Sequence, residues 1–516
     1  MSYKILRSAS FNWVALAIQV LVGFFLTPFV VRRLGADAYG VWTYLVSAIS
    51  FMSLLDLGLR GTVTRFVARD HARGDHDTVN VLVSTIFWFR AILSFLAFAV
   101  GAACSGLITE SLQMPESLYS DAKLAFLILA ASFAIKFTTG VLRGVLAALH
   151  RFDLISIVGI VQTGARATGV VLLLNAGHGI LALAILELAL VLAVAAAERL
   201  LLLAKYREFR IVLRLPNRET LRQVVSYSFY AYVINVCIHV IYYTDNIVVG
   251  MTLTTAAVTT YAIGGGLIEY LRQIVSSLTV TFTPVASSME ARGHTDQLRA
   301  LLLRGTTAAL LVALPIATAL FVRGHTFIGI WMGPEYADAS SEVLSVLLVA
   351  AIAGIANTTS GGIALGLGRH AVVAGWAVGE AICNLVLSIL LARRFGVIGV
   401  AWGTLIPSLV IHLLLWPPYI SRIVDVPMWR YLVSSWGRPV LAAVPFGIGC
   451  WAVDTLWTPS NLFVFFAQIF ATLPLFALGV VIFCRAEFLM VLRSKWVQER
   501  LPVPIERRVM ASTRKS

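Results

Sequence analysis

Charged side chains are scarce in this sequence. Only 13% of its 516 residues are Asp, Glu, Lys or Arg, about half the share in an average soluble domain. That scarcity excludes an ordinary cytosolic enzyme. Long polar segments are missing too, so the soluble domains that the length would allow, at roughly 150 residues each, have nothing to be made from. The five cysteines (Cys104, Cys237, Cys383, Cys450 and Cys484) form no CxxC pair and have no histidine at metal spacing. Each lies in or beside an apolar run, so buried, inert thiols are expected. No GxxxxGK[ST] loop offers a phosphate cradle, and neither HExxH nor GxSxG occurs. No outer loop is long enough to house the catalytic residues of a membrane glycosyltransferase or polymerase, although that class, with a transport-free scaffold, stays among the rivals. No enzyme activity and no cofactor is expected.

What fills the chain is apolar: 59% of residues are hydrophobic and the mean hydropathy is +0.87. Apolar runs of about 20 residues, enough to cross a hydrocarbon core of about 30 Å, recur from end to end. The pattern predicts an all-α polytopic membrane protein with fourteen transmembrane helices, near 10–32, 39–60, 80–108, 123–149, 154–175, 179–203, 223–250, 256–285, 300–322, 340–365, 371–391, 398–420, 437–457 and 461–484. An interruption is expected in the eighth at Gly264-Gly265-Gly266. The last pair divides at Trp457-Thr458-Pro459, and twelve helices are the alternative count. The run up to Val31, behind Lys4 and Arg7, is too long for a signal-peptide core and reads as a retained first helix.

The net charge is +14, from 40 Lys+Arg against 26 Asp+Glu, and the pI is 9.8. A nucleic-acid partner would need a basic face on a soluble module, which is absent. With both termini inside, 30 of the 40 cations fall on cytoplasmic segments and helix ends. Six fall in outer loops (Arg32, Arg33, Lys123, Arg323, Arg393, Arg394) and four within spans (Arg90, Lys136, Arg166, Arg272). That bias predicts an inner-membrane protein with both termini cytoplasmic. The connector 205–222 is either an amphipathic segment on anionic lipid or a solvated basic loop.

A weak duplication organises the chain. Ser8-Ala9-Ser10-Phe11 matches Ser226-Tyr227-Ser228-Phe229, and Ala72-Arg73-Gly74 matches Ala291-Arg292-Gly293. Gly144, Leu149 and Arg151 match Gly362, Leu367 and Arg369, and Gly177 matches Gly396. The offsets are 218, 219, 218 and 219 residues. Six helices per copy is an even number, so the copies are parallel repeats, an arrangement that builds two-lobed transporters. The expected organisation is a six-helix lobe over 1–204, the basic connector 205–222, a second lobe over 223–420, a further helix pair over 421–484 and a basic tail over 485–516.

A charge at the centre of a span costs about 2.5–3.5 kcal/mol on the insertion scale and is retained for a reason. Arg90, Lys136 and Arg166 come within several ångströms of the mid-plane at about 1.5 Å per residue. Only Glu187 and Asp56 are acids close to them. They line a water-filled cavity that receives an anion, or they pair with those acids and backbone carbonyls as structural glue. Asp56 and Arg60 are i,i+4, with Arg65 and Arg69 following, and mark either a phosphate-attracting entrance or a topology anchor. The second copy carries acids: Asp245, Glu269 beside Arg272, and Glu380 four residues before Asn384, with Thr404 able to add an oxygen. That geometry suits a proton or sodium site or a hydrogen-bonded structural carboxylate. Aromatics such as Trp42, Tyr44, Trp88, Tyr230, Tyr242 and Tyr243 serve sugar stacking or plain packing.

Several segments resemble the polysaccharide transporter family: Phe11-Asn12, Gln19, Leu26-Thr27-Pro28-Phe29, Arg33-Leu34-Gly35, Ala38-Tyr39-Gly40-Val41-Trp42, Leu55-Asp56-Leu57-Gly58-Leu59 with Arg65-Phe66, and Phe395-Gly396-Val397-Ile398-Gly399-Val400-Ala401. That family includes the O-antigen and exopolysaccharide repeat-unit flippases, within the multidrug/oligosaccharidyl-lipid/polysaccharide exporter superfamily. The resemblance implies two six-helix lobes around a central cavity, often with two more helices. It implies translocation of an undecaprenyl-diphosphate-linked oligosaccharide across a bacterial inner membrane, driven by an ion gradient. Lipids and other polysaccharide assembly proteins are the implied partners. Arg90, Lys136 and Arg166, with Arg60 and Arg65, would meet the diphosphate and acidic sugars. By similarity to the lipid II flippase, Asp245, Glu380, Asn384 and Thr404 are the ion-coupling candidates. A Glu stands where an amide is expected, so Na+ and H+ both fit. A drug or metabolite exporter of the same superfamily is the alternative; it would call for an acidic cavity.

Overall fold

The computed structural model describes residues 2–55, 59–206, 229–279 and 281–485, excepting the side chains of 2–13, 59–62, 205, 229 and 231. Asp56, the Arg60 side chain, connector residues 207–222, Ser226-Tyr227-Ser228 and the tail from 486 lie outside what is described. Every regular element among the described residues is helical. In chain order these are α1 (Ser2–Leu34), α2 (Ala36–Ser50, continued by a 3-10 turn Phe51–Leu55), α3 (Leu59–Ala72), α4 (His76–Glu110), α5 (Tyr119–Ala148), α6 (Phe152–Asn175) and α7 (Ile180–Lys205). There follow α8 (Phe229–Thr252), α9 (Thr255–Thr279), α10 (Phe282–Ala291), α11 (Thr295–Trp331), α12 (Ala337–Ala356), α13 (Thr358–Gly366) and α14 (His370–Leu409). A π-helical turn, Val410–Leu415, leads to α15 (Trp416–Val424) and α16 (Met428–Tyr431); a second, Leu432–Gly437, leads to α17 (Arg438–Leu456) and α18 (Leu462–Phe483).

Among the described residues, twelve helical segments are long and apolar enough to cross a membrane. The 55-residue segment His370–Val424 turns back at Gly396 (φ 64, ψ −141) and makes two crossings. With α9, the total reaches the expected fourteen. The helices carry exposed apolar stripes, such as Phe95, Leu96 and Val100 on α4 and Phe463 and Phe470 on α18, as surfaces solvated by lipid should. All five cysteines are free, and Cys383 is exposed beside Ile382 rather than buried. An apolar run in a membrane helix has a lipid-facing side, so apolar neighbours do not predict burial.

The duplication is written into the backbone. His76 opens α4 and Thr295 opens α11, 219 residues later; Tyr119 and Ala337 open α5 and α12, 218 apart; Phe152 and His370 open α6 and α14, also 218 apart. Left-handed residues recur at the same spacing: Gly74 with Gly293, His150 with Gly368, and Gly177 with Gly396. Packing recurs as well. A Cβ on Gly144 would stand 2.8 Å from Val63 of α3, and one on Gly362 would stand 3.3 Å from Thr283 of α10.

Other expectations change. Gly264-Gly265-Gly266 does not interrupt its helix, because α9 runs through it. A Cβ on Gly264 would lie 3.1 Å from Ser340 O, so glycine permits close approach of α12 there. The expected 340–365 helix breaks at Asn357, whose side chain donates to Ala353 O and His412 O. Arg323, expected in an outer loop, lies in α11 at a non-helical residue and is fully buried.

The described residues form two compact units. One comprises residues up to Tyr270, Asp338–Leu347 and His370–Pro407; the other comprises Leu271–Ala337, Leu348–Arg369 and residues from Ser408 onward. In the first, Val67, Val79, Ile86, Val141 and Leu146 make one apolar core, and Val30, Val170, Leu174 and Leu183 another. Outside the membrane segments, Asp75 caps α4 by accepting from Thr78 N at 3.0 Å, and the Thr78 contacts hold its carboxyl below the usual range. In the second unit, Arg323 Nε donates to Asp454 Oδ1 at 2.8 Å and Nη2 to Gln468 Oε1 at 2.7 Å, clasping α11 to α17 and α18. A Cβ on Gly479 would stand 2.1 Å from Ala442 O, so α17 and α18 touch backbone to backbone.

His150 holds φ 55 where its counterpart Gly368 holds φ 72. His150→Gly is expected to stabilise the purified protein, and Gly368→Ala to destabilise it, each by about 1 kcal/mol. Melting curves in detergent read this as opposite shifts in Tm. Unchanged curves for both would show that neither residue is constrained.

Candidate functional site

The first unit holds a cavity of about 820 Å³ lined by α1, α2 with its 3-10 extension, α5, α6, α7 and α8. Two of the three mid-plane cations reach it. Lys136 lines it from α5, and Arg166 from α6 donates through Nη2 to Glu187 Oε1 of α7 at 2.7 Å. Arg166 is therefore both paired with Glu187 and a lining residue of the cavity. Tyr39, Trp42, Phe133, Phe137 and Tyr243 supply flat rings, and Ser50, Ser132 and Asn235 supply uncharged polar groups.

Arg90 is 1% exposed, with its guanidinium 4.4 Å above the Phe137 ring. It thus sits one aromatic layer behind the cavity wall. A Cβ on Gly140 would stand 3.1 Å from Arg90 Nη1, so the glycine makes room for it. Arg65 is exposed on α3 and is not among the lining residues.

A second constellation surrounds Asp245, which is 4% exposed on α8. Its carboxylate accepts from Tyr261 Oη at 2.5 Å, from Thr404 Oγ1 at 2.8 Å and, more weakly, from Ser388 Oγ at 3.4 Å. Asn384 Nδ2 donates to Thr404 Oγ1 at 2.9 Å, while Asn384 Oδ1 is buried with no hydrogen-bond partner. The structure thus brings together Asp245, Asn384 and Thr404. Glu380 is buried one helical turn before Asn384, where its neighbours Ala377 and Ala381 pack against Cys237 and Ile241 of α8. All the groups around Asp245 present oxygen, the donor type of hard cations.

One helix serves both places. Asn235, His239 and Tyr243 form an i,i+4 stripe of α8 on the cavity, and Cys237, Ile241 and Asp245 form a second stripe two residues out of register. At about 100° per residue the stripes face nearly opposite ways. Toward its C-terminal end α8 is tied to α2, with Asn246 Nδ2 donating to Ser47 Oγ at 3.0 Å. Beyond it Thr255 Oγ1 donates to the Asp37 carboxylate and Thr259 Oγ1 to Ala36 O at 2.6 Å. A Cβ on Gly40 would stand 1.8 Å from Thr255 O.

The two constellations occupy equivalent positions of the duplication. Thr27, Arg166 and Val170 correspond to Asp245, Asn384 and Ser388 at an offset of 218, and Trp42 to Tyr261 at 219. All four residues of the first set line the cavity. Sequence reasoning missed Tyr261 and Ser388, yet the repeat offset applied to the cavity residues points straight to them. It also missed His239, which the i,i+4 stripe on α8 would have indicated.

The profile of the polysaccharide biosynthesis protein family matches residues 29–341. The membrane protein EpsK of Bacillus subtilis is 24% identical over 499 residues, covering 93% of each chain. A protein described as a probable low-salt glycan biosynthesis flippase, Agl15 of Haloferax volcanii, is 22% identical over 429 residues, covering 81% of this chain and 84% of its own. Among solved structures, the lipid II flippase MurJ in an inward closed conformation superimposes with a TM-score of 0.68 at 13% identity, over 93% of this chain and 99% of its own. The fold is that of the multidrug/oligosaccharidyl-lipid/polysaccharide exporters, and by the extent of the family match the chain belongs to the polysaccharide biosynthesis protein family.

Proposed function

We propose that this protein is a secondary-active flippase. It moves an undecaprenyl-diphosphate-linked oligosaccharide from the inner to the outer leaflet of a bacterial inner membrane for surface polysaccharide assembly. Its two termini stay in the cytoplasm, and it works by alternating access coupled to an ion gradient. The observation that carries the reading is the cavity in which Lys136 and the Arg166–Glu187 pair stand among ring side chains. Its volume of about 820 Å³ lies toward the upper end of the roughly 300–1,000 Å³ usual for small-molecule sites, which suits a diphosphate with its first sugars. Cations at that depth compensate phosphate charge that hydrocarbon would reject, while the prenyl tail stays in lipid. Flat rings are the surfaces on which sugar faces stack. The glycan-flippase name of Agl15 and the lipid II flippase name of MurJ point the same way. A carrier of cationic drugs would give this wall a negative balance, whereas Lys136 and Arg166 outnumber Glu187 on it.

The Asp245 constellation is the coupling site in this proposal. A proton or Na+ there would be held by the Asp245 carboxylate with Asn384 Oδ1, Thr404 and Ser388, and Glu380 would add charge nearby. An ion shifts a conformational equilibrium only by binding one state better than another. The opposite face of α8 carries Asn235, His239 and Tyr243, so a shift of that helix reaches the cargo wall directly. The contacts of α2 with α8 and α9 form the outer gate that must part for release.

Lys136→Ala and Arg166→Ala are each expected to lower surface-polysaccharide export about ten- to a hundredfold at normal protein level, the effect of losing one charge-assisted contact. Complementation of a deletion strain, with immunoblotting of the membrane fraction, measures this. Full complementation by both variants would remove the cavity from the substrate path.

Asp245→Asn is expected to abolish gradient-dependent transport in proteoliposomes while leaving gradient-independent exchange, with Glu380→Gln weaker in the same direction. Undiminished response of Asp245→Asn to imposed Na+ and H+ gradients would place coupling elsewhere.

A further inference from the structure

The second unit carries a smaller pocket, of about 250 Å³, that no role described above uses. Glu290 lines it from the end of α10, His294 from the turn before α11, and Arg369 from the turn before α14. Leu298, Leu367 and Ile423 supply an apolar side. Thr295 opens one membrane-crossing segment, Gly366 closes the next, and Val424 closes the double crossing that follows. All three ends therefore lie on one side of the membrane, which puts the pocket at the depth of lipid headgroups. Glu290 and Arg369 both face it, yet among the described residues neither has an ion pair or a side-chain hydrogen bond. The other acids of these elements, Asp296 and Asp425, are taken by Arg299.

The first copy of the duplication shows what completes such an arginine. Arg151, the equivalent of Arg369 at an offset of 218, donates through Nε to Asp153 Oδ1 and through Nη2 to Asp153 Oδ2, each at 3.0 Å. Its Nη1 reaches Tyr206 Oη at 3.4 Å. At the same offset Ala371 stands for Asp153 and Val424 for Tyr206. Asp75, which caps α4, is replaced by His294, whose side chain caps nothing on α11. The second copy has thus lost every partner of its arginine, and an acid, Glu290, stands across the same pocket where the first copy has His71.

We infer that this pocket binds the headgroup of a zwitterionic phospholipid with a primary ammonium, a phosphatidylethanolamine. Arg369 takes the phosphate, the anion that a guanidinium fork fits best. Glu290 takes the ammonium, and Leu298, Leu367 and Ile423 meet the start of the tails. The volume, below the roughly 300 Å³ at which drug-sized sites begin, suits a headgroup and not a whole lipid. A purely anionic lipid would answer Arg369 but leave Glu290 facing a phosphate of its own sign. A choline headgroup would offer Glu290 no N–H donor.

The test is titration of the full-length protein in detergent with dihexanoyl phosphatidylethanolamine, dihexanoyl phosphatidylglycerol and glycerophosphoethanolamine, read by native mass spectrometry. The wild type is expected to bind the ethanolamine lipid about tenfold more tightly than the glycerol lipid, as one charge-assisted contact would give. Glu290→Gln should erase that preference, and Arg369→Gln should weaken both lipids about tenfold. Ala371→Asp, which restores the acid of the first copy, should also weaken both. All three positions are exposed, so the variants keep the fold. Equal binding of the two lipids by the wild type, a preference retained in Glu290→Gln, or binding unaltered by Arg369→Gln would overturn the proposal. Glycerophosphoethanolamine binding as tightly as the lipid would overturn the assignment to a membrane ligand in favour of a soluble phosphodiester.

Discussion

A carboxylate withdrawn from water must be met by donors or by a cation, and the buried Asp245 sets that demand in the first unit. Three hydroxyls answer it, from α9 and from both halves of α14. The halves can both contribute because the chain reverses at Gly396 and packs back on itself. A Cβ on Gly399 would stand 2.2 Å from Leu391 O, and one on Gly403 would stand 2.5 Å from Ser388 N. Any side chain at those two positions would hold Thr404 away from Ser388 and leave the carboxylate short of partners. The glycines of the second half of α14 are therefore part of the acid's environment, although neither touches it.

The cavity obeys the same electrostatics with the opposite sign. Arg166 is not left bare: Glu187 holds it in place and keeps the guanidinium turned toward the cavity. Arg90, behind Phe137, adds positive charge through the face of a ring rather than by contact. The two halves of the duplication have thus placed a basic wall and an acidic cluster on one architectural plan. The two faces of α8 put them a helix diameter apart.

Much of this was legible in the amino-acid pattern. Scarce charge and repeated apolar runs give the membrane class and the helix count, and cations sunk in spans mark Lys136 and Arg166. Asp245, Asn384 and Thr404 meet as their types and positions suggest. What was not legible has physical causes. Tyr261 and Ser388 are ordinary residues of apolar helices until a carboxylate faces them. Three consecutive glycines look like a helix break in water, yet in a packed membrane protein they are a contact surface. Arg323 reads as a loop cation because its partners, Asp454 and Gln468, lie more than 130 residues away. Arg90 shares the depth of Lys136 but not its direction, and depth alone is what a span boundary reveals.

The matching left-handed residues at Gly74 and Gly293, His150 and Gly368, and Gly177 and Gly396 speak to ancestry. A half-length forerunner with an even number of crossings would have inserted in one sense only, and two copies could pair about a dyad. In such a homodimer every substitution appears twice, so a basic site in one subunit is a basic site in both. Two copies in one chain are free of that restriction. Only a chain carrying both copies can hold an arginine at residue 166 and an asparagine at the equivalent position 384, and so turn one inherited pocket into a basic cavity wall and a carboxylate ringed by hydroxyls.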